Sequence, residues 1–278
     1  MKQPELGQKL IELRKDKDLT QEELVEACNV SIRTIQRIEA GEVTPRTSTI
    51  KIILAALGED LSVFKEATDR MQNNAQLARS AHWLQLAWIF GIVYFIVGFI
   101  EIGMDAARYD AIIGSFYDYT NNSYSNNTVY IFIKLISFGS YAIFLWGFWH
   151  LAVLFKVDLL KVSVYLMIII SLIISLLDIF VAFIEIDEDW MIPLMIVETI
   201  SLGAVAIVLG LGLMKLQDGM GRLAFGVGIL EVIIGFFLVT VVLFLISAVL
   251  MIPTIIMEIV LLYRGYEYAK NNAVGGSF

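Results

Sequence analysis

The chain has 278 residues, of which 58% are hydrophobic, and a formal net charge of −8, with a mean hydropathy of +0.75. So acidic a balance excludes whole-chain electrostatic affinity for nucleic acid, so any such contact has to come from local basic residues. The single cysteine, Cys28, excludes an intrachain disulfide and argues against a cysteine metal site.

The composition changes near residue 80. The first 80 residues are polar and charged with clear turn signals, and the remainder is mostly Ile, Leu, Val and Phe, with long apolar runs from about Trp83 to Tyr263. Two domains are therefore expected. The opening MKQPELGQKL is polar and lacks an apolar core segment, so no cleavable signal peptide is expected and the first membrane span has to direct insertion.

In chain order, Leu6, Leu10 and Leu13 at helical spacing predict a helix from Glu5 to about Lys15. Thr20 followed three residues later by Glu23 is a capping box, and Leu19 and Leu24 are placed as a hydrophobic staple, so a second helix runs from Gln21 to about Cys28. Cys28 falls on its apolar side and reads as a buried thiol. Asn29 and Val30 form a short turn, Ser31 caps a third helix, and Gly41 ends it in the left-handed conformation. Thr44 and Pro45 open a fourth helix through Leu57, closed by Gly58. At about 100° per residue, Ile32, Arg33, Gln36 and Arg37 share one face of the third helix, while Ile35 and Ile38 point the other way.

The stretch LTQEELVEACNVSIRTIQRIEAGEVTP, residues 19–45, resembles the lambda repressor, Cro and Xre helix-turn-helix family. The likeness extends over residues 6–60, about a fifth of the chain, and spacing, caps and core positions agree together. It implies a five-helix DNA-binding domain over residues 1–64. In that family Gln21 would touch a phosphate, Ile32, Arg33 and Arg37 would face base edges beside Gln36, and Ser31, Thr34 and Arg46 would contact the DNA backbone. Arginine suits a base-facing position because its guanidinium bonds both O6 and N7 of guanine. The chain departs from a strongly basic pattern: Glu39 and Glu42 follow closely and no basic cluster flanks the third helix, so dimerisation is expected to be needed for affinity.

After a linker at 65–80, apolar runs at about 83–102, 129–155, 160–184, 191–214, 223–244 and 247–263 predict six spans, each near the ~20 residues that cross a bilayer core. The last two are read as a tight hairpin around Ser247. The fold class is all-α: a helix-turn-helix domain, a six-helix transmembrane bundle over 81–264, and a tail at 265–278. Arg70, Arg79, Lys156, Lys161, Lys215, Arg222, Arg264 and Lys270 flank one face, and the opposite loops hold only Arg108. The positive-inside rule then puts both termini in the cytoplasm of a multi-pass protein of the cell inner membrane.

Internal similarity suggests three copies of a two-helix hairpin: MIPLMIVE (191–198) with MIPTIIME (251–258), IKLISFGSYAIFL (133–145) with VETISLGAVAIVL (197–209), and GIVYFIVGF (91–99) with GILEVIIGF (228–236). The alignment makes Lys134, Glu198 and Glu258 equivalent, and Asp178 falls at similar depth. Charges at such depth cost at least ~2.5 kcal/mol, so they are expected to face inward and to pair, Lys134 with one of the carboxylates. Such a group is either an outward-opening polar site for an extracytoplasmic ligand or an ion pair that fixes helix register. Glu231, nearer the inner end, is expected to make a separate contact. Asp105, Asp110, Asp118, Glu185, Asp187, Glu188 and Asp189 give the outer loops an acidic surface able to concentrate cations, or simply a solvated rim. NNSYSNNT carries glycosylation sequons of little weight in a family of bacterial type. His82 and His150 stand apart, and no metal cluster, nucleophile motif, phosphate loop or cofactor fingerprint is evident.

The expected function is a membrane-anchored transcriptional regulator with the membrane domain as sensor or anchor, with DNA and the lipid bilayer as partners, acting as a homodimer. One alternative is a membrane-tethered interaction protein like the bacterial cell-shape proteins, whose helix-turn-helix binds a filament. The arginine pair and the lack of exposed aromatics on the third helix weigh against it. Another is a small transporter with a regulatory domain, supported by the intramembrane charges alone.

Overall fold

A computed structural model describes residues 3, 5–113, 127–181, 183, 188–241 and 243–274. Among them every regular element is a helix. The chain divides into two compact units, one comprising the residues up to Gln76 and the other Leu77–Asn272.

The N-terminal unit holds α1 (Glu5–Asp16), α2 (Gln21–Cys28), α3 (Ile32–Glu39), α4 (Thr47–Ala56) and the start of α5 (Leu61–Ile113). Leu6, Leu10, Leu24, Ile35, Ile38, Ile53 and Leu54 converge in one apolar core, with Cys28 as a buried free thiol at its edge. Each of these positions recurs at helical spacing, so the pattern that forms the helices also supplies the face that packs. Both ends of α3 are specified. Ser31 caps it, and Gly41 at φ 76° permits a Schellman closure in which Glu42 N–H reaches Arg37 O at 2.9 Å and Gly41 N–H reaches Ile38 O at 3.1 Å. The fourth helix begins at Thr47, later than Thr44 and Pro45 suggest, because Arg46 stays extended at ψ 153° as its N-cap. Proline's fixed φ therefore serves the entering loop and not the first helical turn.

Residues 65–80, expected as a linker, lie within α5. The second unit continues with α6 (Asn127–Leu154), α7 (Asp158–Val181), α8 (Glu188–Met214), the short α9 (Gln217–Met220), α10 (Arg222–Thr240) and α11 (Phe244–Val274). Six helical segments, Gln72–Ala106, Asn127–Leu154, Asp158–Val181, Trp190–Met214, Arg222–Thr240 and Phe244–Ala273, are long and apolar enough to cross a membrane. Ile96, Ile102, Phe132, Phe180 and Val197 are exposed on their outer faces, where lipid would solvate them at no cost.

The turn between α10 and α11 is not at Ser247. The break falls at Val241, whose φ of 60° ends α10. Ser247 lies inside α11, buried, with its hydroxyl donating to Phe244 O at 2.6 Å. A serine that returns its proton to its own helix is compatible with apolar surroundings and does not need a turn. α8 and α10 pack closely, Gly203 facing Gly235 and Gly210 facing Gly228. Of the expected acidic outer surface, Asp118, Glu185 and Asp187 lie outside the described residues, as do 121–126 of the NNSYSNNT stretch; the side chains of Asp110, Glu188 and Asp189 are likewise outside the description.

Candidate nucleic-acid interface and intramembrane site

The capping box sets the register of α2. Thr20 N–H donates to Glu23 Oε2 at 2.7 Å, and Glu23 N–H donates to Thr20 Oγ1 at 3.2 Å. The Thr20 backbone amide, and then its hydroxyl, hold the Glu23 carboxyl below its ordinary value. At α3, Thr34 N–H donates to Ser31 Oγ at 3.3 Å and the two hydroxyls lie 2.7 Å apart. Two of the candidate DNA-backbone contacts thus also build the start of the helix.

Ile35 and Ile38 are buried beneath α3, and Arg33, Gln36 and Arg37 are exposed above it, with Ile32 half-buried at its first turn. Arg46 is exposed at the start of α4. Arg37 Nε lies 3.4 Å from Glu42 Oε2, a solvent-exposed pair of the kind worth little energetically. The guanidinium is therefore free to exchange that partner for a stronger acceptor.

Gln21 does more than point outward. Its Nε2 donates to Glu39 Oε2 at 2.6 Å, and its Oε1 lies 3.5 Å from Gln36 Nε2. Glu39 is buried and also receives Arg14 through Nε at 2.8 Å and Nη2 at 3.2 Å. Hydrogen bonding to Glu39 raises the Arg14 pKa above its ordinary value despite the opposing effect of burial. Glu39, which in the sequence looks like negative charge close to a DNA-reading helix, is turned inward and compensated. Arg14 is not legible from the sequence, because RKDK at the end of α1 reads as a solvated helix end and no spacing rule links residues 14 and 39.

In the second unit Lys134, buried on α6, is surrounded by three carboxylates: Asp178 at 2.7 Å, Asp105 at 2.8 Å and Glu101 at 2.9 Å. Tyr130 donates to Asp105 at 2.9 Å, and the Ser137 hydroxyl donates to Glu101. Of the carboxylates expected beside Lys134, Asp178 is in direct contact with it, Glu198 lies within electrostatic range of Lys134, Asp178 and Asp105 but outside salt-bridge distance, and Glu258 is not among its partners. Glu258 and Glu231 both border the same cavity. One Glu198 carboxylate oxygen is buried with no hydrogen-bond partner among the described residues. Glu101 and Asp105 were missed because hydropathy ends the first span near residue 102 and assigns Asp105 to a loop. In fact α5 continues past both, and a spacing of four residues stacks them on one helix face.

A cavity of about 290 Å³ lies between these groups, bordered by Tyr94, Lys134, Tyr141, Asp178, Glu231 and Glu258 among others. His150 meets Ser80 at 3.4 Å and stacks on Trp83. Among the described residues no group of three or more His, Cys, Asp or Glu side chains is placed to hold a metal ion.

Residues 10–64 match the helix-turn-helix family model. No curated protein and no solved structure matches the chain. The N-terminal region is thus of the Xre and lambda repressor type, a DNA-binding class of transcription regulation, and the helices after it are suited to a membrane domain.

Proposed function

We propose that this helix-turn-helix chain is a membrane-anchored transcriptional regulator whose membrane domain acts as the sensor. The observation that carries the reading is the exposed trio Arg33, Gln36 and Arg37 on α3, directly opposite the buried Ile35 and Ile38, within the residues that match the family. A helix held by its inner face and bare on its outer one can enter a major groove and present guanidinium and amide groups to base edges. Gln21, Ser31, Thr34 and Arg46 would fix the domain on the phosphates, and Ile32 would add an apolar contact.

Two copies are needed, since a single α3 with two guanidiniums in a chain of charge −8 has little electrostatic affinity of its own. Six spans return the chain to its starting side, and the basic residues gathered there favour a cytoplasmic location for both termini in a bacterial inner membrane. The intramembrane groups Lys134, Asp178, Glu198 and Glu258 belong to the sensing half. The test is crosslinking and capture of genomic DNA with the intact protein. Recovery of a small set of two-fold symmetric sites supports the regulator; recovery of a protein filament in place of DNA would replace it with a tethered interaction protein.

A further inference from the structure

We propose that the cavity within the helical bundle binds a small organic cation, an amine or quaternary ammonium compound carrying an apolar group. This rests on the sensing role given above to the membrane domain and names the class of ligand it would sense.

All six long helices contribute to the cavity wall. Five carboxyl groups line it, Glu101, Asp105, Asp178, Glu231 and Glu258, against the single ammonium of Lys134. Lys134 is already held by the first three at 2.7 to 2.9 Å. Glu231 and Glu258 line the cavity from α10 and α11 and are not among the partners of Lys134. Negative groups in excess, in surroundings that solvate charge poorly, favour entry of a cation and oppose entry of an anion.

Three further features narrow the class. The rings of Tyr94 and Tyr141 lie 4.6 Å apart in the wall, and ring faces attract ammonium groups. The Ser171 hydroxyl oxygen, also in the wall, is buried without a hydrogen-bond partner among the described residues. A buried polar atom left unpaired is unusual and marks a place for a ligand group or water. The remaining wall includes Leu202, Leu209 and Ile234, and the volume of about 290 Å³ is close to the lower end of ligand pockets. A bare metal ion would leave most of that apolar space unfilled, whereas an ammonium head with an apolar body matches both parts.

The test uses the full-length protein in a non-ionic detergent, with thermal unfolding and calorimetric titration as readouts. Benzyltrimethylammonium and 2-phenylethylammonium are the cationic probes, neopentylbenzene is the uncharged isostere of the former, and phenylacetate is the anion. At least one cation should raise the Tm saturably, and the isostere and the anion should not. Glu258→Gln and Tyr94→Leu should each weaken that cation at least tenfold, while Gly139→Ala, at a position with open space around its Cβ, should leave it unchanged. Equal stabilisation by the isostere, absence of any effect from both cations, or an unaltered Kd in whichever of the two variants folds would overturn the proposal. The same preparations are assayed for DNA capture. Sequence-selective DNA binding without cation binding sinks only the ligand assignment; cation binding without it sinks the regulator reading.

Discussion

A Cβ placed on Gly210 would sit 2.6 Å from the carbonyl oxygen of Gly228, and a Cβ on Gly228 would sit 2.6 Å from the carbonyl oxygen of Gly210. One pair of seven-residue steps further along, Gly203 and Gly235 repeat the relation at 2.7 and 2.6 Å. The helices α8 and α10 thus approach backbone to backbone, as small residues allow when lipid offers no hydrophobic drive to association. Gly210→Val or Gly228→Val should therefore lower the thermal stability of the detergent-solubilised protein, by about 1 to 3 kcal/mol or more as overpacking does. Gly139→Ala and Gly98→Ala, with nothing within 4 Å of the added carbon, should leave the melting curve unchanged. Equal effects at all four positions would show that this approach does not hold the pair.

The exposed face of α3 predicts distinct effects for its side chains on DNA. Arg33→Ala or Arg37→Ala should each cost about 1 to 3 kcal/mol of binding and relax preference at particular base pairs. Gln21→Ala should weaken all sequences alike, and it also withdraws a hydrogen bond from buried Glu39. Glu42→Gln frees Arg37 from its exposed partner and should leave affinity unchanged or slightly raised. Binding isotherms against single-base variants of a captured site distinguish these outcomes.

The capping box of α2 carries a pH dependence of definite sign. Glu23 is held below its ordinary value of 4.5 in the folded protein, so the unfolded chain binds protons more readily there. Its stabilising contribution is complete above the unfolded value and fades as pH falls through the lower folded one. Glu23→Gln, which keeps an acceptor without the charge, should show its deficit in amide exchange protection along α2 at neutral pH and lose that deficit in acid. A deficit that persists unchanged at low pH would assign it to lost geometry and not to charge.

The cluster around Lys134 predicts unequal rescue. Lys134→Met strands three carboxylates around a buried site and should destabilise the protein by about 3 to 5 kcal/mol, the usual cost of leaving buried charge without its partner. Adding Asp178→Asn should recover part of this, because it removes the nearest of the three, whereas adding Glu198→Gln, at a carboxylate in electrostatic range but not in contact, should recover less. A double variant with Asp178→Asn no more stable than Lys134→Met alone would show that the 2.7 Å contact contributes nothing. The measurement is a set of melting curves of single and double variants.

Features that depend on local pattern are legible in the residues alone. Thr20 with Glu23, Ser31 and Gly41 fix the ends of α2 and α3 because capping is an interaction between near neighbours. The same locality explains why Ile35 and Ile38 were placed inward and Arg33 and Arg37 outward, and why six apolar segments emerge from hydropathy alone. That Lys134 would need a carboxylate also follows from sequence, since an ammonium in hydrocarbon has few alternatives. Which carboxylates it takes was decided by the tertiary structure. The repeat alignment makes Lys134, Glu198 and Glu258 equivalent, yet Lys134 lies against Glu101, Asp105 and Asp178. Glycines show the same divergence: Gly139 aligns with Gly203, but only Gly203 meets another backbone. Likeness in sequence preserves the residue at a position; its partner depends on the rotation and length of neighbouring helices, and α5, running past both Glu101 and Asp105, sets these for Lys134. The inward turn of Glu39 toward Arg14 was equally hidden, because an ion pair across 25 residues of sequence exists only once α1 and α3 have packed.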